Sequence, residues 1–136
     1  MATIKRFEDI LAWQKARSLT NSIYKETSVG AFAKDYSLRD QIRRSSISVM
    51  LNIAEGFGRK TDKEFKQFLV QAHGSCAEIQ AALYIALDQQ YLSQQSFQYL
   101  YDSADEISRM IMGLHKAIGR KPNKRATPQN SPNLLD

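Results

Sequence analysis

The chain has 136 residues, 43% of them hydrophobic and 24% charged, with a net charge of +5. That length suits one domain whose core needs no disulfides or structural metal. The lone cysteine, Cys76, excludes an intramolecular disulfide framework and fits a reducing cytoplasm. The opening MATIKRFEDILAW has no signal-peptide core, and no apolar run approaches the roughly 20 residues of a membrane span. The expectation is a cytoplasmic protein with no membrane partner.

The first helix is predicted from Asp9, as N-cap, to Ser28. Trp13, Ala16, Thr20, Ile23, Tyr24 and Thr27 share one face, and Val29-Gly30 ends the helix. Residues 30–36 read as a loop. The second helix spans Leu38 to Glu55 with Ser37 as N-cap. Gly56 and Gly58 end it, because glycine reaches positive φ without a Cβ clash. The third begins at Thr61, where Thr61-Asp62-Lys63-Glu64 has capping-box spacing. Its apolar stripe is Phe65, Leu69, Ala72, Cys76, Ile79, Leu83 and Ala86. The fourth begins after Ser93, with Phe97, Leu100, Ala104, Ile107, Ile111, Leu114 and Ile118 as its stripe. Alternating steps of three and four keep a seam facing a near-parallel partner. With the short turn at 89–93, the last two helices read as an antiparallel hairpin. Strand alternation is not visible. The fold class is therefore all-α, an up-down four-helix bundle over residues 1–118. Residues 119–136, rich in Pro, Asn, Ser and cations, read as a disordered basic tail.

The second helix carries more apolar surface than one packing face uses. Ile42, Val49 and Ile53 lie within about 60° of Leu38, whereas Ile47, Met50, Leu51 and Ala54 form a separate arc between about 120° and 220°. Gln41, Ser45, Ser48, Asn52 and Glu55 make a polar stripe between them. Large apolar arcs are rarely left wet on a monomer, so the second arc points to a homo-oligomer. The alternative is a monomer that wraps this helix on three sides. Gly74, with Ser75 and Ala77, allows another backbone to approach the third helix closely.

Charge is unevenly placed. Residues 34–66 hold eight cations and five anions, residues 67–118 two and five, and residues 119–136 four and one. This distribution points to an anionic partner. Two groups of cations stand out. Arg39, Arg43 and Arg44 lie on the second helix, and Arg59, Lys60 and Lys63 surround the turn into the third. The segment Gly56-Phe57-Gly58-Arg59-Lys60-Thr61 does not match GxxxxGK[ST] and follows a helix rather than a strand, which excludes a nucleotide-binding loop of that type. It does bring cations to a helix N-terminus, where the dipole favours phosphate. Each cation also has a structural reading: Arg44 paired with Ser48 or a glutamate, Arg43 with Asp40 or a neighbour, and Arg59 with Glu55. His73 and His115 are isolated, and neither HExxH nor Glu-x-x-His spacing occurs. Cys76 sits on an apolar stripe as a core thiol. The expectation is no enzyme, no metal and no cofactor.

The segments FEDILAWQKA and LRDQIRRSSISVMLNIAEGFGRKTDKEFKQFLVQAHGSCAEI together resemble the bacterial four-helix-bundle proteins encoded within intervening sequences of large-subunit ribosomal RNA genes. The QIRR, NIAEG, FGR, EF and GS…E elements occur in order, and the resemblance covers residues 4–118. It implies a small bundle assembling as a ring, a pentamer. It also implies kinship with the accessory protein of diversity-generating retroelements, a basic barrel that works with a reverse transcriptase and nucleic acid. Gln41, Arg43, Arg44, Asn52, Glu55, Gly56 and Arg59 match the family's core motif. Gln41, Asn52, Glu55, Gly56, Gly58 and Gly74 are expected to be architectural. Arg39, Arg43, Arg44, Arg59, Lys60 and Lys63 are the candidate contacts to RNA or DNA phosphates. The rival expectation is a protein–protein adaptor that uses the apolar helix faces to bind a protein partner.

Overall fold

The computed structural model describes residues 4–119. A 3-10 turn over Phe7–Asp9 precedes α1 (Leu11–Glu26), a short α2 (Gly30–Lys34), α3 (Tyr36–Phe57), α4 (Asp62–Asp88) and α5 (Gln94–Ala117). Among the described residues there is no strand. The four long helices run up and down. Helix α3 packs on α1 and α4, and α5 packs on α1 and α4. The expected bundle is present, and the tail beyond Gly119 lies outside the described residues.

The 3.5-residue stripes of α4 and α5 form the centre of the core. Phe65, Leu69, Ala72, Cys76, Ile79, Leu83 and Ala86 are all buried, as are the seven stripe residues of α5 and its C-cap. Helix α3 contributes Leu38, Ile42, Val49 and Ile53, the face predicted to point inward. Helix α1 adds Ala12, Ala16, Leu19 and Ile23. Tyr24, expected on the inner face, lies at its edge, 38% exposed. Burial pushes the Cys76 thiol up to about 12, so it stays protonated as a core group.

The element ends differ from expectation in instructive ways. Asp9 does not cap α1. Its carboxylate accepts from the backbone N–H of Lys5 and Arg6, at 3.3 and 3.2 Å, and so closes the preceding 3-10 turn. Residues 30–36 are not a loop throughout, because α2 forms there and buries Phe32. The N-cap of α3 is Asp35 rather than Ser37. One Asp35 oxygen accepts from the Leu38 N–H at 3.1 Å, and the other accepts from the Tyr91 hydroxyl at 2.9 Å. That bond and the stack of Phe32 on Tyr91 clasp one end of the bundle. The hydrogen bond also pushes the Tyr91 phenol up, because the bonded proton is harder to remove. Thr61 caps α4 as predicted, accepting from the N–H of Glu64, and Ser93, after which the fourth helix was expected to begin, caps α5 by accepting from the N–H of Ser96.

Helix α3 does not stop at Gly56, and neither Gly56 nor Gly58 uses positive φ. Gly56 lies within the helix, and Gly58, the C-cap, has φ −80°. The need for glycine at 56 is steric. A Cβ there would meet the Phe68 Cβ at 2.7 Å and the Phe65 ring at 3.0 Å. Positive φ occurs instead at Gly30, at +63°, where the chain turns into α2.

Candidate nucleic-acid interface

The polar stripe of α3 is turned toward α4, where it forms a row of hydrogen bonds. Gln41 donates to the Ser45 hydroxyl at 3.1 Å, and Ser45 donates to Glu78 at 3.2 Å. Ser48 and Ser75 share a 2.8 Å hydrogen bond. Asn52 donates to the Ser48 carbonyl and hydroxyl at 2.9 and 3.0 Å. The Ser45–Glu78 and Ser48–Ser75 bonds cross between the helices and set the register of α3 on α4, while the Gln41 and Asn52 bonds lie within α3 and hold those two serines. Gln41 and Asn52 thus bond the serines that reach α4, and Gly56 lets α3 come close to Phe65 and Phe68. Ser45, Ser75 and Glu78 belong to the same row, although their pairing spans 27 or more residues and leaves no local trace in the sequence.

The arginines near the start of α3 are held by the fold. Arg43 donates to the Thr27 hydroxyl at 2.8 Å, to the Thr27 carbonyl at 3.3 Å and to the Ser28 hydroxyl at 3.2 Å. Its guanidinium lies 4.4 Å from the Tyr24 ring centroid. This side chain fastens the end of α1 to α3, and its partner is not Asp40. Arg39 takes Asp40 at 2.9 Å, donates to the Ala33 carbonyl at 3.1 Å and covers the Tyr36 ring. Arg44 is exposed beside a cleft lined by Asp35, Ser37, Gln41 and Ile85. Arg44 makes no hydrogen bond or ion pair with another described residue, so neither Ser48 nor a glutamate holds it.

The second group sits at the opposite end of α3, about 20 Å away along the helix. Arg59 pairs with Glu55 at 2.8 Å, as expected, and lies 4.8 Å from the Phe68 ring centroid. Lys60 and Lys63 are exposed, and neither has a hydrogen bond or ion pair with a described residue. The free amides of α4 are less available than the sequence suggests. Thr61 takes the Glu64 N–H at 3.1 Å, and Asp62 and Glu64 already offer negative charge to the dipole. Anion attraction at this end therefore rests on the lysine side chains. Gly119 lies here too, its Cβ position 3.6 Å from an Asp62 carboxylate oxygen. The chain thus enters its last 17 residues, which include Arg120, Lys121, Lys124 and Arg125, beside Lys60 and Lys63. The six candidate cations form no single cluster: three are held by intramolecular contacts, and Arg44 stands apart from the two lysines.

The second apolar arc of α3 is divided. Met50 packs against the core, whereas Ile47 and Leu51 are 36% and 61% exposed. On the adjacent outer face of α4, Val70 and Ile85 are also exposed. Between them Gly74 faces open space, with nothing within 4 Å of a Cβ built there.

No group of three or more His, Cys, Asp or Glu side chains that could hold a metal occurs among the described residues. His115 is half-buried, and burial, reinforced by the charge of Lys66, holds its imidazole below the ordinary range. No described helix is long and apolar enough to cross a membrane.

Fold and polar seam together define an all-α four-helix bundle whose α3–α4 pair is locked by side-chain hydrogen bonds. The chain belongs to the 23S rRNA-intervening sequence protein family, whose sequence profile matches residues 8–113. Its fold is similar to the crystal structure of a protein of unknown function from the S23 ribosomal protein family of Bacteroides thetaiotaomicron VPI-5482. The two share 20% sequence identity and a TM-score of 0.71, over 78% of this chain and 99% of that one. No curated protein matches this chain.

Proposed function

We propose that this protein is a non-enzymatic, cytoplasmic, self-associating bundle that binds RNA or DNA through phosphate contacts. The observation that carries the reading is the end of the bundle at the α3–α4 turn. Lys60 and Lys63 are exposed there without a hydrogen bond or ion pair to another described residue, and Gly119, after which the sequence carries Arg120, Lys121, Lys124 and Arg125, lies beside Asp62. Arg44 is the third available cation, while Arg39, Arg43 and Arg59 contribute charge from fixed positions. In the ring that the resemblance implies, a pentamer, each of these groups would repeat about the axis. A weak patch on one chain then becomes a strong one on the assembly. The family's name refers to sequences that interrupt 23S rRNA, so RNA is the first probe.

Binding to a labelled single-stranded RNA should weaken linearly on a log–log plot against salt, because each neutralised phosphate releases counterions. Reversing Lys60 and Lys63 to glutamate should flatten that slope and weaken binding to unrelated RNA sequences alike. An RNA left unbound at low salt overturns the reading.

A second reading, a protein–protein adaptor, draws on the apolar outer face with Ile47, Leu51, Val70 and Ile85. It expects a bulky residue at Gly74 to abolish partner binding and lysine reversal to leave that binding intact. Self-association uses the same face and needs no further partner.

A further inference from the structure

We propose that the outer face of the α4–α5 pair, near the turn at 89–93, binds an arginine-bearing basic segment of another polypeptide. This surface is separate from the lysines at the α3–α4 turn and from the apolar face with Leu51, Val70 and Ile85. It depends on neither nucleic-acid binding nor self-association.

The sequence sets this part of the chain apart. Residues 67–108 hold five carboxylates, Glu78, Asp88, Asp102, Asp105 and Glu106, and no lysine or arginine, although the chain has 19 of those cations. Folding brings three aromatic rings of the same stretch together. Tyr84 on α4 lies 5.0 Å from Phe97 and 5.7 Å from Tyr101, and the last two, both on α5, are 5.5 Å apart. Phe97 is the buried base of the cluster, Tyr101 is half-buried, and Tyr84 stands 51% exposed. Core packing accounts for Phe97 but leaves tyrosine ring surface in water. Such a ring attracts a cation to its negative π face, and a planar, weakly hydrated guanidinium stacks there best.

Carboxylates border the rings. Asp88 is one turn beyond Tyr84 on α4, and Asp105 is one turn beyond Tyr101 on α5. The Tyr101 phenol is pushed up, first by its neighbour Tyr84, then by burial and by the charges of Asp105 and Asp102. Several of the anions are already occupied. Arg109 pairs with Asp105, Lys15 takes Glu106 at 3.5 Å, and Ser45 donates to Glu78 at 3.2 Å. Asp102 receives only the neutral Gln98 amide, at 2.9 Å. Asp88 has no hydrogen bond or ion pair with another described residue. Both are exposed. Asp88 also stands in the last turn of α4, which has no basic residue, where the helix dipole favours a cation.

Charge selects the occupant. A nucleic acid could stack bases on the same rings, but its phosphates would meet Asp88 and Asp102. An arginine uses both features at once, its plane on a tyrosine ring and its N–H groups on a carboxylate. The chain's own cations at 120–125 fall short. Gly119 lies at Asp62, and Asp88 is about 39 Å further along α4 at helical rise. Arg125 is at most about 21 Å of extended chain from Gly119. A separate polypeptide therefore supplies the arginines.

A fluorescein-labelled peptide of alternating arginine and serine tests this on the full chain by anisotropy. The net charge of +5 repels such a peptide, so binding reports a local face rather than the field of the whole chain. The arginine peptide should bind, its lysine counterpart about threefold or more weakly, and its glutamate counterpart not at all through this face. Asp88→Lys with Asp102→Lys should weaken arginine-peptide binding about tenfold or more. Tyr84→Leu, which keeps apolar bulk against Phe97, should weaken it several-fold. Glu64→Lys, on the exposed surface at the opposite end of α4, should leave it within about twofold. Circular dichroism checks that each variant keeps its helices, and the exposed pair at 88 and 102 decides the matter if Tyr84→Leu does not fold. The proposal is overturned if the arginine peptide stays unbound at low salt, if it binds no better than the lysine peptide, or if reversal at 88 and 102 weakens it no more than Glu64→Lys. It is likewise overturned if Tyr84→Leu weakens binding of a labelled single-stranded RNA and leaves the peptide unaffected, which would make the rings a base-stacking surface.

Discussion

Gly56 and Gly58 are two residues apart and look interchangeable in the sequence, yet the fold treats them differently. A methyl group at 56 collides with the Phe68 Cβ at 2.7 Å, whereas at 58 it would meet the Glu55 carbonyl oxygen at an ordinary 3.6 Å. Gly56→Ala should lower stability by about 1–3 kcal/mol, the usual cost of overpacking. Gly58→Ala, at ordinary negative φ, should change it by less than about 0.5 kcal/mol. Urea unfolding of the two variants measures the difference. Arg43 gives a similar contrast with Arg44. Arg43→Ala removes three hydrogen bonds between α3 and the end of α1 and should cost about 1–3 kcal/mol, as hydrogen bonds to a charged group do. Arg44→Ala removes none and should leave the melting temperature nearly unchanged. Adjacent arginines in one motif thus divide between architecture and availability, a division the helical wheel could only leave open.

At the level of helices, periodicity carried most of the information. The stripes of α4 and α5 are buried residue for residue because a 3.5-residue repeat needs only a near-parallel neighbour, whatever that neighbour's sequence. The cap at Thr61 was legible for a related reason, since its hydroxyl serves an amide three residues away. Thr61→Ala should cost about 1 kcal/mol, read as a lower urea midpoint. The start of α3 was misread because Asp35 is both its cap and the acceptor for Tyr91. That second contact, 56 residues away, favours Asp35 over Ser37 in a manner no local pattern displays. Gly74 is a test at the same scale. Gly74→Ala should raise the stability of a single chain by up to about 1 kcal/mol through helix propensity. Gly74→Leu should weaken association in sedimentation while the chain stays folded.

The assembled bundle adds a pH dependence that follows from His115. Burial and the nearby Lys66 charge lower its folded-state pKa below the ordinary value of 6.5. The neutral imidazole is therefore favoured on folding. Its stabilising contribution is present above 6.5 and is lost as pH falls through the lowered folded-state value. Thermal melts taken from neutral pH downward should show a decline that His115→Gln makes shallower. If the decline is the same in both proteins, His115 is not its source. Across the whole molecule, charge has a direction that composition conceals. Two lysines without a partner among the described residues lie at the same end as Gly119, while the exposed apolar side chains Leu51, Val70 and Ile85 lie along the helices. Nucleic-acid contact and self-association can then proceed on separate surfaces.

The four long helices, their order and their inward faces follow from the sequence alone, because they depend on spacings of three to seven residues repeated along each segment. The short α2, the steric need for Gly56 and the polar row between α3 and α4 do not, because each depends on groups brought together by chain reversal. The same limit applies to the candidate site. The motif residues were visible as a set, but their roles were not. The Arg59–Glu55 pair was legible at its i,i+4 spacing, but only packing shows that Thr27 holds Arg43 and Asp40 holds Arg39, leaving Arg44, Lys60 and Lys63 without a hydrogen bond or ion pair among the described residues. A cation's availability depends on its neighbours in space, and for Arg43 that neighbour lies 16 residues back along the chain.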